Sequence, residues 1–441
     1  MKKYQEYKKT NNTWYPEIPN HWKVCKVKHI ANTYAGGTPS TVKADYWENG
    51  NIPWLPSGKL QNGEITTAEK FITEIGLNKS STKWIKPKTV LIALTGATCS
   101  NIGYLNFEAC ANQSVVAIDE VKEKANSRFL YFMFLMMRRQ ILTHQTGGAQ
   151  AGINDGDVKN MYLTLPTLKE QTQIAKYLDH KTQIIDALIE KKEQLIKKLQ
   201  AQRQAIINEA VTKGLNKNAK MKNSGIEWLG EIPEHWEVVK FRHKFKTTKG
   251  LTITKANLVD EGIPVVNYGE IHSKFGFEVN PEIHNLKSVS ENYLESNQGS
   301  LLKKGDFVFA DTSEDIEGSG NFTYLNSDIP TFAGYHTIIA RMDDSAHKRF
   351  FAYFLDSVVF RTQIQNAVKG VKVYSITNKI LKDTVLFFPP KEEQMSIVDF
   401  LDKQIKNISD MDQKLKDVIK KLKSYRQSII SEAVTGKIDV R

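Results

Sequence analysis

The strongest hydrophobic pattern of the chain is a heptad repeat near its C-terminus. Its apolar residues alternate in steps of three and four, at Ile408, Met411, Leu415, Val418, Leu422, Tyr425 and Ile429. An upstream segment carries the same pattern with polar residues at two positions: Ile185, Leu188, Lys192, Leu195, Leu199, Gln202 and Ile206. A period of 3.5 residues is typical of a coiled-coil seam. Two long helices are therefore predicted, with these residues at their contact.

The two helical segments belong to an internal repeat. Pro166 to Thr212 aligns without a gap on Pro389 to Thr435, an offset of 389 − 166 = 223 residues, and twenty of the 47 positions are identical. An opening motif precedes each copy: residues 17–22 (Glu-Ile-Pro-Asn-His-Trp) return as residues 231–236 (Glu-Ile-Pro-Glu-His-Trp). A duplicated chain builds a pseudo-two-fold object, which suits a two-fold partner such as duplex DNA or a pair of identical subunits.

Two stretches of strand-like pattern, called here the first and second body, separate these repeats. The first contains Val90–Leu94, Ser114–Ile118 and a helix over about 127–144, among Gly-, Pro- and Asn-rich turns. The second follows the same order with Asp306–Ala310, Thr337–Ala340 and a helix over about 346–365. Outside these framework segments the bodies have diverged, which indicates that they bind different things.

The predicted fold is α+β, with two similar globular domains separated by a pair of long antiparallel coiled-coil helices and related by an internal pseudo-two-fold axis. The expected boundaries are 1–165 for the first domain, 166–215 for its helix, 216–388 for a linker and the second domain, and 389–441 for the second helix. Internal pairing of the two helices is the simplest arrangement, and a coiled coil that joins two whole chains is the alternative.

Composition shows a basic net charge and argues against a zinc protein, a membrane protein and a secreted protein. Lys and Arg exceed Asp and Glu by 61 − 49 = 12, which favours a polyanionic partner. Three cysteines without a Cys-x-x-Cys spacing fit a reducing cytosol and give no zinc signature, so no metal is expected. The longest apolar run, Phe129–Met137, is too short to span a bilayer, and no secretory signal opens the chain. A cytoplasmic bacterial protein without membrane contact is expected.

Catalytic signatures are missing from the sequence. It contains no P-loop, no dinucleotide-type glycine turn, no Asn-Pro-Pro-aromatic or Asp-Pro-Pro-aromatic tetrapeptide, and no Gly-x-Ser-x-Gly or His-Glu-x-x-His motif. His21 and His235 recur, but beside Trp22 and Trp236 they are interpreted as framework packing. No catalytic residue is therefore assigned. A self-contained methyltransferase or nuclease remains one alternative, and a coiled-coil scaffold that reads no sequence remains another.

Loops in both bodies mix basic, amide, hydroxyl and aromatic residues, which can neutralise phosphates and read base edges. The candidate DNA-binding residues of the first body are Thr38, Ser40, Lys43, Trp54, Ser57, Lys59, Thr95, Thr98, Gln150 and Asn154. Those of the second body are Thr252, Lys255, Asn267, Tyr268, Lys274, Thr312, Ser313, Lys369, Lys372 and Tyr374. Solvated polar loops are the alternative interpretation for any one of them.

In their order and duplication, these motifs resemble the specificity subunit of Type I restriction-modification systems. The resemblance rests on the two opening motifs, the loops at residues 36–40 and 52–58, the Leu-Pro…Glu-Gln helix start and the Arg-Gln…Glu-Ala-Val-Thr-x-Gly helix end. It covers nearly the whole chain. The second body departs from it, because Lys249–Ile253 replaces the Gly-Gly-Thr-Pro-Ser loop.

The resemblance implies a non-catalytic subunit whose two bodies are target recognition domains for the halves of a bipartite, asymmetric DNA site. It implies that the helices set the spacer length and dock two methyltransferase subunits, through which two nuclease-translocase subunits can join. Double-stranded DNA is the expected ligand. No cofactor is expected in this chain; S-adenosylmethionine would belong to the methyltransferase partner, and ATP and Mg²⁺ to the nuclease partner.

Overall fold

The computed structural model describes residues 2–120, 124–147, 151–226, 230–343, 346–370 and 373–441. The chain folds into two compact units, one made of residues 1–192 and 416–441, the other of residues 193–415. Each unit therefore contains one body, the beginning of the long helix that follows that body, and the end of the other long helix.

The first repeat contains short strands, three short or medium helices and one long helix. Its strands are β1 (Tyr7–Lys9), β2 (Glu17–Pro19), β3 (Lys23–Lys26), β4 (Ala31–Ala35), β5 (Ile52–Leu55), β6 (Gly63–Ile65), β7 (Lys70–Ile72), β8 (Thr89–Ala93), β9 (Ile102–Leu105), β10 (Cys110–Ala111), β11 (Val115–Glu120) and β12 (Tyr162–Leu165). Its helices are α1 (Glu74–Asn78), α2 (Ser127–Thr143), α3 (Asp155–Asn160) and α4 (Leu168–Lys213).

The second repeat follows the same plan with more insertions. Its strands are β13 (Met221–Asn223), β14 (Glu231–Pro233), β15 (Glu237–Lys240), β16 (Phe245–Lys249), β17 (Ile263–Val266), β18 (Glu278–Val279), β19 (Lys287–Val289), β20 (Leu301–Leu302), β21 (Phe307–Ala310), β22 (Thr312–Ser313), β23 (Phe322–Leu325), β24 (Thr331–Ala333), β25 (Thr337–Met342), β26 (Tyr374–Ser375) and β27 (Val385–Phe388). Its helices are α5 (Tyr268–Ser273), α6 (Tyr293–Ser296), α7 (Lys348–Asp356), α8 (Val358–Ala367), α9 (Asn378–Asp383) and α10 (Lys391–Val434).

Each body is built on a five-stranded sheet with an equivalent strand order, β4-β11-β8-β9-β6 in the first and β16-β25-β21-β23-β18 in the second. The last pair, β9–β6 or β23–β18, is parallel, whereas the other pairs are antiparallel. A smaller sheet adjoins each, and in both it contains a parallel pair, β5–β10 or β17–β24. The predicted α+β repeat is confirmed, and it extends through segments without visible sequence similarity.

The central strands are apolar throughout because both faces of the main sheet are covered. In β8, Val90 and Ile92 belong to the core cluster that includes α2, whereas Leu91 and Ala93 belong to a second cluster on the opposite face. β21 repeats this division, with Phe307 and Phe309 on one face and Val308 on the other. Side chains alternate across a strand, so a strand buried on both sides is an apolar run.

One predicted helix of the second body is two helices. The pattern over residues 346–365 forms α7 and α8, with Ser357 between them in an extended conformation. The Ser357 side chain caps α8 by accepting a hydrogen bond from the Phe360 backbone N–H at 3.3 Å. An N-cap serine satisfies a free helical N–H and so favours a new helix start. The continuous apolar pattern concealed this break.

The two long helices run antiparallel where they pack within each unit. In the first unit, Ile174 and Leu178 near the start of α4 share a core cluster with Ile430 and Val434 near the end of α10. In the second unit, the end of α4 packs in the same way with the start of α10. Arg426 donates to Asp186 at 2.8 Å, which ties α10 to α4 farther along the first unit. No helix in the described part of the chain is long and apolar enough to span a membrane.

The heptad prediction is correct in period and partly wrong in phase. Ile429 is buried, and Leu199, Ile206, Leu415 and Leu422 are half-buried. Ile185 and Ile408 are buried as well, but five predicted apolar seam residues are exposed, by 42% at Leu188, 45% at Leu195, 54% at Met411, 36% at Val418 and 46% at Tyr425. The neighbours Ile189 and Ile419 are only 8% exposed and take their place.

The phase is set where the helices pack on the bodies. The buried row of α10 runs from Ile397 and Leu401 through Ile408 and Ile419, and it includes the polar positions Asp412 and Arg426 as half-buried residues. In α4, buried Thr182 precedes Ile185 and Ile189 in the same way. The true seam contains polar residues. The apolar row beside it therefore fits the heptad pattern better in the sequence, although it is not the contact.

The opening motifs form the junction between each body and the long helices. Trp22 is fully buried, and its indole N–H donates to the Glu170 carboxylate at 3.4 Å. His21 Nε2 lies 2.8 Å from the same carboxylate oxygen. The second copy is equivalent, because Trp236 and His235 contact Glu393 at 3.0 and 2.7 Å. The interpretation of both histidines as framework residues is confirmed.

The end of the other long helix completes each junction. A Cβ atom on Gly436 would lie 2.4 Å from Pro19 Cδ and 3.0 Å from the Trp22 ring, and one on Gly214 would lie 3.2 Å from the Trp236 ring. Both glycines follow their helices with positive φ, +75° and +72°. A glycine therefore follows the Glu-Ala-Val-Thr end of each long helix, because the chain must turn left-handed there and pass close to a tryptophan.

We predict that Gly436→Ala destabilises the first unit far more than Gly225→Ala does. Both glycines have φ of +75°, but a Cβ on Gly225 meets nothing within 4 Å. The left-handed backbone should cost both variants roughly 1–2 kcal/mol, and the clash should add about 1–3 kcal/mol at Gly436 alone. Thermal unfolding of the two variants measures this difference; equal losses would show that the junction is not closely packed.

Candidate nucleic-acid interface

The first-body loop that begins at Gly36 is held by two tryptophans. Trp54 is buried, and its indole N–H donates to the Gly37 carbonyl at 3.0 Å. Trp47 packs edge-on against Trp54, with ring centroids 5.0 Å apart, and donates to the Ser40 carbonyl at 3.1 Å. The prediction that Trp54 contacts DNA is wrong, because its ring is covered and its only polar hydrogen is used within the protein. Its role is to position the loop.

The same loop carries three of the other predicted residues. Ser40 and Lys43 are exposed, and Thr38 is half-buried with its hydroxyl donating to the Gln113 side chain. Lys43 Nζ donates to the Tyr46 hydroxyl at 3.1 Å, and this hydrogen bond raises the pKa of Lys43. Lys43 therefore remains a cation that can approach a phosphate.

The remaining first-body candidates form two more groups. Ser57 and Lys59 follow β5 and are half-buried, and Lys59 Nζ pairs with Glu69 at 2.6 Å. Thr95 is paired with Gly152 by an isolated β-bridge, which brings the loop after β8 beside the segment that precedes α3. Thr98 donates to the Thr95 carbonyl at 3.1 Å, and exposed Asn154 caps α3 by accepting from the Asp157 N–H at 3.1 Å. Gln150 lies outside the described residues.

In the second body, four described lysine and threonine candidates lie on loops and are exposed: Thr252, Lys255, Lys274 and Lys369. Asn267 and Ser313 are buried, so the prediction of direct DNA contact is wrong for both. Asn267 precedes α5, and its backbone N–H donates to Glu270 at 3.3 Å as part of the cap of that helix. Ser313 lies in β22, and its hydroxyl is 3.5 Å from Asp315. Lys372 lies outside the described residues.

The structure brings three of the second-body candidates together. β22 pairs with β26, which places Thr312 and Ser313 opposite Ser375 and Tyr374. His272 of α5 lies beside them, with Nε2 2.8 Å from the Thr312 carbonyl and Nδ1 2.7 Å from the Asn321 amide. The His272 ring is thus held between these two partners. Half-buried Tyr268, on the same helix, is thereby fixed near the same loops.

A turn that no sequence motif marks lies next to these loops in each body. Exposed Gln113 contacts Thr38 in the first body. In the second, Tyr268 packs edge-on against Tyr335 and His336, with ring centroids 5.6 and 5.3 Å away. No motif marks these residues, and only the matching of the two strand pairs that flank the turn could have indicated them.

A cluster of one arginine and two carboxylates, called here the arginine cluster, occurs once in each unit. Arg128 of α2 contacts Glu64 of β6 and Asp179 of α4, both at 2.6 Å. In the second unit, Arg349 of α7 contacts Glu278 and Asp402 at 2.5 and 2.8 Å. Each guanidinium also lies over aromatic rings, 4.6 Å from Tyr104 in the first case and 5.8 Å from Tyr353 in the second. Each body is thus fixed to its long helix by the same contacts.

Two carboxylates at these attachment sites, Glu64 and Glu170, have lowered pKa values, which favour the ionised form. Burial acts to raise the pKa of Glu64, but hydrogen bonds from Asn106 and Arg128 and the Arg128 charge bring it below its usual value. Burial also opposes ionisation of Glu170, whose pKa is nevertheless lowered by hydrogen bonds from His21, Thr167 and Trp22. Neither site resembles a catalytic acid, which would need a raised pKa. Among the described residues, no three His, Cys, Asp or Glu side chains are grouped to hold a metal ion.

Comparison with known proteins decides the family. The family model for the Type I restriction modification DNA specificity domain matches the chain twice, over residues 19–198 and 233–421. The chain belongs to this family. A specificity subunit of the Type I restriction enzyme MjaVIII from Methanocaldococcus jannaschii is 26% identical over 435 residues, which cover 96% of this chain and 94% of that protein.

Solved structures of low sequence identity share the fold of this specificity-domain protein. A chain from a structure titled for complex assembly and conformational transition of the type I R-M system superposes with a TM-score of 0.72 at 17% identity, covering 95% of this chain and 98% of that chain. The HsdS subunit from Thermoanaerobacter tengcongensis covers the same fractions at 17% identity, with a TM-score of 0.51. The two bodies and long helices are therefore the fold of the family.

For this specificity-domain protein, we predict that Arg128→Ala lowers the free energy of unfolding by about 1–2 kcal/mol through lost ring contacts and ion pairs. The estimate is modest because Glu64 and Asp179 are 44% and 40% exposed. The control is Arg139→Ala, an exposed residue of the same helix, which should change stability by less than about 0.5 kcal/mol. Urea unfolding compares them, and equal effects would remove the arginine cluster from the account of body attachment.

Proposed function

We propose that this chain is the non-catalytic DNA sequence-recognition subunit of a Type I restriction-modification enzyme. Each body reads one half of a bipartite, asymmetric site in double-stranded DNA. The observation that carries this proposal is the duplicated junction and arginine cluster, which hold two bodies whose loops differ. Identical attachment with different loops is the arrangement that two unlike half-sites require.

The loop chemistry supports DNA as the ligand. Exposed Lys43 in the first body and Lys255, Lys274 and Lys369 in the second lie on loops with hydroxyl and aromatic neighbours. Cations that contact phosphates supply most of the affinity for a duplex, and neighbouring amide or hydroxyl groups supply base discrimination. The net charge of +12 agrees with such a ligand.

Two equivalent apolar positions support the docking of two methyltransferase subunits. Leu188 and Met411 are related by the 223-residue repeat, as are Leu195 and Val418, and all four are exposed. Leu188 and Val418 belong to the first unit, whereas Leu195 and Met411 belong to the second. Each unit therefore offers the same pair of exposed apolar positions on its long helices, as two copies of one partner need. Nuclease-translocase subunits would join through these partners.

The long helices are also the part of the chain suited to set the spacer. α4 and α10 contain 46 and 44 residues. At 1.5 Å per residue, a helix of that size is roughly 65–70 Å long, about two turns of duplex DNA. A rigid pair of such helices would fix the number of unread base pairs between half-sites. Catalysis and its cofactors, S-adenosylmethionine, ATP and Mg²⁺, belong in this proposal to the partner subunits.

The test is a map of adenine methylation in cells that express this chain with its methyltransferase subunit, against cells that lack only this chain. We expect a new bipartite motif with a fixed gap in the first cells. Specific DNA binders discriminate by at least about 10³-fold, so the motif should stand clearly above background. Identical maps in both cells would refute sequence recognition and favour a scaffold role.

A second chain in the same experiment separates the role of the helices from that of the bodies. It carries seven added residues at the middle of both α4 and α10, so that the heptad phase is kept. The proposal expects a longer gap with both half-sites unchanged. An unchanged gap would show that the helices do not set the spacer.

A further inference from the structure

The turn between the last strand of the small sheet and a central strand of the main sheet is built in the same way in both bodies. It is residues 112–114, between β10 and β11, in the first body and residues 334–336, between β24 and β25, in the second. We call these the paired turns. Equivalent backbone bonds enter them, from Asn112 N–H to the Leu55 carbonyl at 3.0 Å and from Gly334 N–H to the Val266 carbonyl at 2.7 Å.

A glycine loop closes each paired turn from the other side. Gly36 N–H donates to the Val115 carbonyl at 2.9 Å, and Gly250 N–H donates to the Thr337 carbonyl at 3.1 Å. A Cβ on Gly36 would lie 2.1 Å from the Ala111 carbonyl oxygen, and one on Gly250 would lie 2.2 Å from that of Gly334. Both positions therefore require glycine, and the paired turns are rigid parts of the duplicated fold.

These bonds also correct the alignment of the repeats. They relate Val115 to Thr337, an offset of 337 − 115 = 222 residues, whereas the long helices repeat at an offset of 223. Gln113 consequently corresponds to Tyr335, and Ser114 corresponds to His336. The backbone of the turn is thus the same in the two bodies, whereas its side chains differ completely.

Each turn presents one long polar side chain that is held by a polar contact with a neighbouring segment. In the first body, exposed Gln113 accepts a hydrogen bond from the Thr38 hydroxyl through Oε1, which leaves its amide N–H₂ group free. In the second, His336 Nδ1 lies 3.2 Å from Asp311, and the His336 side chain is 57% exposed. With its Nδ1 hydrogen directed at the carboxylate, a neutral imidazole presents Nε2 outward as an acceptor.

The backbone of His336 is held in an uncommon state. Its φ is +54°, a left-handed conformation that a non-glycine residue adopts only at a cost. The surroundings enforce it: the Asp311 N–H donates to the His336 carbonyl at 3.0 Å, and the Tyr268 ring packs against the imidazole. An exposed ring held this firmly is pre-organised for a ligand beyond the surface.

We propose that the paired turns are base-reading elements, with Gln113 contacting a base of one half-site and His336 contacting a base of the other. This inference rests on the proposed function and names residues for it. A glutamine amide matches the N6 and N7 edge of adenine in the major groove, and an outward Nε2 acceptor matches the amino group of adenine or cytosine. Lysines on the surrounding loops would bind the phosphates on either side.

The test maps methylation motifs for Gln113→Ala and for His336→Asn, each expressed with the methyltransferase subunit. Asparagine is chosen at 336 because it tolerates positive φ, so the fold is kept while the imidazole is lost. We expect each variant to lose about tenfold to hundredfold discrimination at one base position, in one half-site only. Matched controls are the exposed residues of the same types Gln5→Ala and His243→Ala, which should leave the motif unchanged.

The outcomes separate this inference from the function on which it rests. A bipartite motif with wild-type protein, unaltered by both variants, would overturn the role of the paired turns and leave the proposed function intact. No motif with wild-type protein would overturn both. Equal changes in both half-sites from either variant would contradict the assignment of one turn to each half, and the thermal stability of each variant identifies any loss that is due to unfolding.

Discussion

The structure depends on the burial of one tryptophan at each junction between two different helix ends. Trp22 is held by Glu170 at the start of α4 and is covered by Gly436 beyond the end of α10. Trp236 is held by Glu393 at the start of α10 and lies against Gly214 beyond the end of α4. Each unit therefore needs the helix end of the other repeat to complete its core. The duplication of the sequence and the exchange of the helix ends therefore follow from the same requirement.

This constraint explains which parts of the two repeats match and which differ. The matched residues, such as Arg128 and Arg349, fasten a body to a helix through buried or half-buried contacts. The surface loops contribute little to those contacts, so they can change without loss of the core. The paired turns combine both properties. Their backbone is part of the shared fold, whereas the side chains of Gln113 and His336 lie on the variable surface. A fixed backbone with a free choice of side chain is what a recognition surface needs.

Much of this organisation could be predicted from the sequence. Period, length and duplication of the long helices were visible because heptads and repeated motifs are local signals. The phase of the seam was not, since Thr182, Asp412 and Arg426 occupy seam positions that only tertiary packing identifies. Among the candidate residues, Trp54, Asn267 and Ser313 failed because a polar or aromatic side chain in a loop is as suited to holding the loop as to binding a ligand. Gln113 and His336 carried no sequence signal, since their role depends on neighbours more than 24 residues away in the chain.

The central claim is that each body reads its own half-site independently of the other, on a common frame. A chimera tests it most directly: residues 23–165 are exchanged for the corresponding body of a family member with a known and different motif, while both opening motifs, both long helices and the second body are kept. Methylation mapping should then show a hybrid motif, with one half replaced by that of the donor and the other half and the gap unchanged. Alteration of both halves, or of neither, in a chimera that still supports methylation would contradict the account.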